Sequence, residues 1–150
     1  MKIIRATTDD LDHLTRLFDN YRQFYRQVSD LDGAKVFLKE RITQLQSEIF
    51  IAYDISENGY QEGMGFIQLY PVFSSVSMKK LWLLNDLYVK TEYREQGVGV
   101  ALLGAAKELA RETGAKGLML ETECTNENAQ RLYEKQGFKR NENFFYNFDI

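Results

Sequence analysis

Apolar positions along the 150-residue chain change their period from segment to segment. In "KIIRAT" a short apolar run predicts a strand. Leu11, Leu14, Phe18, Tyr21 and Tyr25 then recur three or four residues apart, which predicts a first helix. Thr7 or Thr8 suits its N-cap, and Asp9 and Asp10 suit the positive end of its dipole. "SDLDG" reads as a loop, and Leu38, Ile42 and Leu45 mark a second helix. "IFIAYDI" and "MGFIQLYPVF", separated by the polar turn "SENGYQEG", read as an antiparallel hairpin. Pro71 cannot donate to a ladder, so it belongs at an edge, a bulge or a strand end. "LWLLNDLYV" is mostly apolar, as in a strand covered on both faces.

The second half alternates elements. Val98, Leu102, Ala105 and Leu109 give a third helix its buried stripe, and "GLMLET" is a further buried strand. "NENAQRLYEKQG" predicts a short helix with Ala129, Leu132 and Tyr133 on one face and Gly137 at its C-terminal stop. "NFFYNFDI" alternates Phe144, Tyr146, Phe148 and Ile150, which predicts a terminal strand with one apolar face. Antiparallel strands followed by strand–helix–strand–helix–strand imply an α/β (α+β) class with a mixed, mostly antiparallel sheet and helices on both faces. No repeat or linker divides residues 1–150, so one domain is expected.

Composition narrows the function classes. A net charge of −3 argues against a general nucleic-acid binder. No stretch is long and apolar enough to span a membrane, and no signal region opens the chain, so a cytoplasmic protein without a membrane partner is expected. One cysteine, Cys124, excludes an intrachain disulfide and suits a reducing compartment. One histidine, His13, and one cysteine make no metal set, so no metal is expected.

The stretch "YREQGVGVALLGAAKELARETG", Tyr93 to Gly114, carries the most chemistry. Gly97 and Gly99 stand immediately before or within the first turn of the third helix. A helix N-terminus presents unpaired N–H groups and partial positive charge, and small residues let an anion reach them. A dinucleotide fingerprint would need a glycine where Leu102 stands, and a P-loop would need a Gly-Lys-Ser/Thr run that "ALLG" lacks. Two readings remain from spacing alone: an anion site, or a turn that needs glycine for positive φ.

With its flanks, this stretch resembles a known family. "LNDLYVKTEYREQGVGVALL" is similar to the central signature of the GNAT superfamily of acetyl-CoA-dependent N-acetyltransferases, in the Leu87-Tyr88-Val89 step, the Tyr93-Arg94 pair and "REQGVG". "NENAQRLYEKQGF" is similar to its second signature, with Asn126, Asn128, Ala129, Tyr133, Gly137 and Phe138 in place. The run "LLNDLYV" and the length look most like the branch of diamine and other small-amine acetyltransferases.

The resemblance implies a GNAT-like domain of about six to seven strands, acetyl-CoA as co-substrate and a primary amine as acceptor, such as a polyamine. The backbone from Arg94 through Glu95, Gln96, Gly97, Val98 and Gly99 to Val100 would hold the coenzyme diphosphate. Leu87, Tyr88 and Val89 would pair with the pantetheine arm, and Asn126, Tyr133 and Lys135 would line the other side. Direct attack in a ternary complex and a homodimer, helped by the apolar terminal strand, are also implied. Other acceptors, such as a protein N-terminus or lysine, and a non-catalytic coenzyme sensor are the alternatives.

Within that frame Tyr133 is the expected acid for the departing thiolate, although on spacing alone a tyrosine on an apolar stripe is a core residue. Many relatives carry a glutamate where Asn85 stands, and an amide cannot take a proton. Asp86 is the favoured base; strict alternation would send it to the opposite face from Asn85, and a bulge would alter that. Glu121, Glu123 and a water chain are the other candidates. Tyr21, Phe24 and Tyr25, with Asp19, Asp30 and Asp32, lie where the resemblance puts the substrate-facing first helices and loop, and could hold a cationic amine; for any one of them ordinary packing or a solvated loop is the favoured reading. Arg94, Arg131 and Lys135 could meet phosphates. Cys124 reads as a buried inert thiol and His13 as a helix-surface residue.

Overall fold

The chain's two periodicities sort its side chains into two apolar layers around one sheet. The computed structural model describes residues 1–59 and 61–150. Five strands pair in chain order: β1 (Lys2–Arg5), β2 (Glu48–Ile55), β3 (Gln61–Ser74), β4 (Lys79–Val89) and β5 (Leu118–Leu120). The first four are antiparallel and β5 is parallel to β4, so the sheet is mixed. Helices α1 (Leu11–Phe24) and α2 (Leu31–Thr43) cover one face, with Leu14, Leu17, Leu38, Ile49, Ile51 and Phe66 buried between. Helices α3 (Val98–Glu112) and α4 (Glu127–Lys135) cover the other, over Ile67, Leu69, Trp82, Leu84, Leu102 and Ala106. Among the described residues no helix is long and apolar enough to cross a membrane.

Local chemistry sets the boundaries. Thr7 and Asp10 form a reciprocal capping box ahead of α1. The Asp30 carboxylate accepts from the Gly33 N–H and starts α2 at Leu31, inside the expected "SDLDG" loop. Pro71 lies opposite Trp82, beyond the end of the β2–β3 ladder at Glu48–Leu69, where β3 has an open edge for a residue without an N–H.

Two irregularities in the last strands shape everything that follows. Pairing of β3 with β4 runs Gly65–Val89, Phe66–Tyr88, Ile67–Leu87, Gln68–Asp86 and then jumps to Leu69–Leu84, leaving Asn85 as a bulge. Trp82 and Leu84 face α3; beyond the bulge Leu87 and Val89 take that face, and Tyr88 joins the layer beneath α1. The β4–β5 ladder covers only Trp82–Leu118, Leu83–Met119 and Leu84–Leu120 and stops where the bulge begins. From there β4 continues to Val89 with its β5-side edge open, and a wedge separates the two strands.

Among the described residues the sheet has five strands, fewer than the six to seven expected. "NFFYNFDI" forms no strand: residues 138–150 lie outside helices and strands, and Phe144, Tyr146, Phe148 and Ile150 are exposed. Alternation records which side chains share a face, but a strand also needs a neighbouring backbone for its N–H and C=O groups, and among the described residues none pairs with this segment.

Candidate active site

The open edge of β4, the start of α3 and the inner face of α4 enclose a cleft of about 670 Å³. Leu87, Tyr88 and Val89 form one wall, and Asn126, Ala129, Leu132, Tyr133 and Lys135 the other. Its floor is the turn Arg94–Val100. Gly97 sits at φ +82°, the left-handed region that a side chain resists, and it caps α3 without a side chain. An added Cβ at Gly97 would meet no protein atom within 4 Å, whereas at Gly99 it would lie 3.1 Å from the Leu132 side chain. The two glycines therefore do different work: Gly97 permits the turn, and Gly99 lets α4 approach α3. Glu95, at φ +61°, shares the left-handed turn.

No acidic residue stands in the first turn of α3 to compete for its N–H groups. Arg94, Arg131 and Lys135 rim the same end of the cleft. The Arg94 guanidinium donates to the Val89 carbonyl at 3.1 Å and lies 5.7 Å from the Phe24 ring, which ties the turn to β4 and α1. This donor set, positive and rich in backbone N–H at one end and narrow between strands along its length, fits a thioester of a long phosphorylated arm.

Twelve of the thirteen residues expected around the coenzyme line this cleft: Leu87, Tyr88, Val89, Arg94, Glu95, Gly97, Val98, Gly99, Val100, Asn126, Tyr133 and Lys135. Gln96 does not; its amide donates to the Glu92 carbonyl at 2.7 Å and closes the turn from outside. Asn126 caps α4 through the Ala129 N–H at 3.2 Å, so it positions the second wall as well as lining it.

Tyr133 is 9% exposed and stands edge-on to Phe138 at 5.8 Å. Burial, with a smaller contribution from Tyr25, pushes its phenol up to about 12. It holds its proton at neutral pH and can donate it to an anion that forms beside it.

Asp86 lies behind the cleft wall, not in it. The bulge at Asn85 turns it beneath α1, where it is 3% exposed. Its two oxygens accept from Gln68 at 2.6 Å and Asn85 at 3.1 Å, and the Tyr21 hydroxyl hydrogen-bonds to it as well. Burial raises its pKa above the usual carboxylate range, and those three donors only partly oppose this. Ser47 donates to the Gln68 side-chain oxygen at 2.9 Å and fixes that amide. Ser47 and Gln68 were not anticipated, although a lone glutamine inside the apolar run "GFIQLY" was a visible signal.

Other expectations sort plainly. Asp19 is buried and holds the loop ahead of α2, accepting from Ser29, the Asp30 N–H and Gln23. These bonds outweigh its desolvation and keep its pKa low, so it is occupied structurally, as Asp30 is in capping. Glu123 pairs with Arg26 at 2.8 Å, and Glu121 is exposed. Cys124 is exposed rather than buried, because β5 ends at Leu120 and the thiol falls in the loop beyond. His13 stands edge-on to Tyr53 at 5.3 Å on the half-buried side of α1. Tyr21, Tyr25 and Phe24 cluster against the cleft, the first two with rings 5.1 Å apart.

Known proteins share this arrangement. The profile of the acetyltransferase (GNAT) family matches residues 14–138. An uncharacterized N-acetyltransferase, YhfO, of Bacillus subtilis (strain 168) is 49% identical over 146 residues, covering 97% of this chain and 95% of its own. A probable acetyltransferase of Haemophilus influenzae (strain ATCC 51907 / DSM 11121 / KW20 / Rd) is 30% identical over 141 residues, covering 94% of this chain and 92% of its own. The crystal structure of a probable acetyltransferase superposes with a TM-score of 0.92 at 41% identity, covering 100% of this chain and 98% of that one. A sheet splayed beside a glycine-opened helix, together with these likenesses over nearly the whole length, means that the chain belongs to the acetyltransferase (GNAT) family and is an acetyl-CoA-dependent N-acetyltransferase.

Proposed function

We propose that residues 1–150 act as one catalytic domain that moves an acetyl group from acetyl-CoA to a small primary amine, such as a polyamine, by direct attack in a ternary complex. The observation that carries this reading is the wedge between β4 and β5, which ends on the N-terminus of α3, where no side chain caps the helix, and has Tyr133 on its wall. Acetyl-CoA supplies the activated thioester. The N–H groups at the start of α3 and the cations Arg94, Arg131 and Lys135 hold its phosphates, and the open edge of β4 at Leu87–Val89 pairs with its arm. A backbone N–H on that edge stabilises charge that develops on the carbonyl oxygen.

The remaining demands are proton transfers. A free alkylamine has a pKa near ~10 and attacks only after losing a proton. Asp86 is the group with acceptor chemistry on the amine side, and burial has moved its pKa toward working pH. Tyr133 donates to the leaving thiolate. The aromatic cluster of Tyr21, Phe24 and Tyr25, backed by Glu123, suits a cation held over ring faces. The lone exposed thiol of Cys124 accords with a reducing, cytoplasmic setting.

We also propose that two copies associate through the terminal segment. Beside the free edge of β5 runs a groove of about 850 Å³, lined by Leu118, Leu120, Phe138, Asn141 and Phe145 among others. The alternating, exposed segment 144–150 has the chemistry of the strand this edge lacks.

The test is coenzyme A release from acetyl-CoA across diamines, polyamines, amino sugars, amino acids and short peptides, with Tyr133→Phe beside the wild type. We expect release with one small-amine class. We expect the variant to lose at least about tenfold in kcat while its KM for acetyl-CoA stays within about threefold. Release with peptides alone would move the acceptor to a protein. Binding of acetyl-CoA without release from any acceptor would end the enzymatic reading, and an unchanged kcat in the variant would leave Tyr133 as a packing residue.

A further inference from the structure

We propose that Tyr21 is a proton relay, carrying a proton from the acceptor amine in the cleft to the buried carboxylate of Asp86. This rests on the acetyl-transfer reading above and specifies how its amine is deprotonated.

Asp86 is 3% exposed and lies behind the cleft wall; Tyr21 is not part of that wall either, but it is half-buried and stands between the carboxylate and two residues that are. Of the carboxylate's neighbours, Gln68 leads away from the cleft into the sheet, and Asn85 is an exposed amide that donates to the carboxylate but cannot take a proton from an amine. The third, Tyr21, leads toward the cleft: its ring lies 5.1 Å from Tyr25 and 6.5 Å from Tyr88, and both of these form cleft wall. Tyr21 is therefore the side chain that touches Asp86 on one side and the cleft's aromatic wall on the other.

The surroundings of Asp86 are built for a carboxylate that accepts protons. Three donors converge on it, and Ser47 fixes the Gln68 amide with its NH2 toward the carboxylate. The titratable groups that face it are Tyr21 from α1, Tyr25 just beyond α1 and Tyr70 from β3, all neutral at working pH. No lysine or arginine pairs with it among the described residues. A buried carboxylate with no cation is costly to keep for packing alone, and such sites concentrate where protons are moved.

The step balances. An N–H bond of the ammonium breaks and its proton goes to the Tyr21 oxygen. In the same step the Tyr21 O–H bond breaks and that proton goes to Asp86. Ammonium and carboxylate become amine and carboxylic acid, and Tyr21 ends as it began. A free tyrosinate is not formed, because burial and the adjacent Asp86 hold the Tyr21 phenol far above its usual range. The proton returns to solvent by the same route after the acetylated product leaves.

The test uses the full chain with the amine that gives the strongest release. Tyr21→Phe keeps the ring and removes the relay. We expect kcat near neutral pH to fall at least about tenfold, the KM for acetyl-CoA to stay within about threefold, and the acidic limb of the kcat profile to move toward the amine's own pKa. Asp86→Asn should show the same profile, and the double variant should be no slower than either single one, as for two members of one path. Independently of any variant, the wild-type solvent isotope effect should give a curved proton inventory, reporting two protons in flight. Superimposable profiles for wild type and Tyr21→Phe would overturn the relay alone. So would a uniform loss at every pH with a linear inventory, which is the mark of lost packing. No release by the wild type with any amine would overturn the transferase reading and the relay together.

Discussion

At the scale of single residues, Asp86 sets stability against chemistry. Its carboxyl is raised above the usual range because burial penalises the charged form. Between the unfolded value, near ~3.9, and its elevated folded value, the native state binds more protons than the unfolded one. Stability therefore falls as pH rises through that window and stays lowered above it. Replacing the group with Asn removes the charge and the penalty. The Asp86→Asn protein should melt at or above the wild-type Tm at pH 8, and its advantage should shrink as the pH is lowered toward 4. Calorimetry at both pH values checks this, and an Asn variant that melts lower at pH 8 would show that the carboxylate contributes more as a hydrogen-bond acceptor than it costs as a buried ion. This residue was legible in part. Its chemistry stands in the sequence, but its position depends on which strand carries the bulge, and periodicity alone does not say so.

Among elements, the turn into α3 was the most legible, because glycine spacing and helix period are local properties. Its details needed neighbours: the contact of Gly99 with Leu132 comes from α4, thirty-odd residues away in sequence. Gly97 is the position where local geometry decides. At φ +82° a β-branched side chain costs about 1–2 kcal/mol. Gly97→Val should lower Tm by about 2–8 °C and raise the KM for acetyl-CoA, read by differential scanning calorimetry and coenzyme A release. A lowered Tm with an unchanged KM would separate the turn's structural role from phosphate binding. The start of α2 was missed because "SDLDG" carries turn-forming residues, whereas Asp30 uses the same chemistry to cap a helix.

For the molecule as a whole, the two-layer arrangement and mixed sheet follow from the sequence because each helix shows one apolar face. The expected last strand does not form, since strand formation depends on a partner backbone that alternation cannot supply. The exposed Phe144, Tyr146 and Phe148 make that partner a second copy in our reading. Truncation after Arg140 should convert a dimer to a monomer in light scattering while leaving the far-ultraviolet spectrum nearly unchanged. A wild-type monomer at tens of micromolar would remove the association, and a dimer that survives truncation would move it to another surface.

The bulge at Asn85 also acts as a reading frame written in space. A strand has two faces, so one residue more or less exchanges everything downstream between them. Drawn into the regular ladder instead of bulged, Asn85 would sit opposite Gln68 and the run after it would swap its apolar and polar sides: Asp86 would turn into the layer of Leu102 and Leu103, while Leu87 and Val89 would leave the wedge. Deleting Asn85 has the opposite consequence. Asp86 then follows Leu84 in plain alternation and keeps its place opposite Gln68, so the faces survive and only the bend is lost. The side of the sheet on which Asp86 falls is therefore set by whether residue 85 stays out of the ladder.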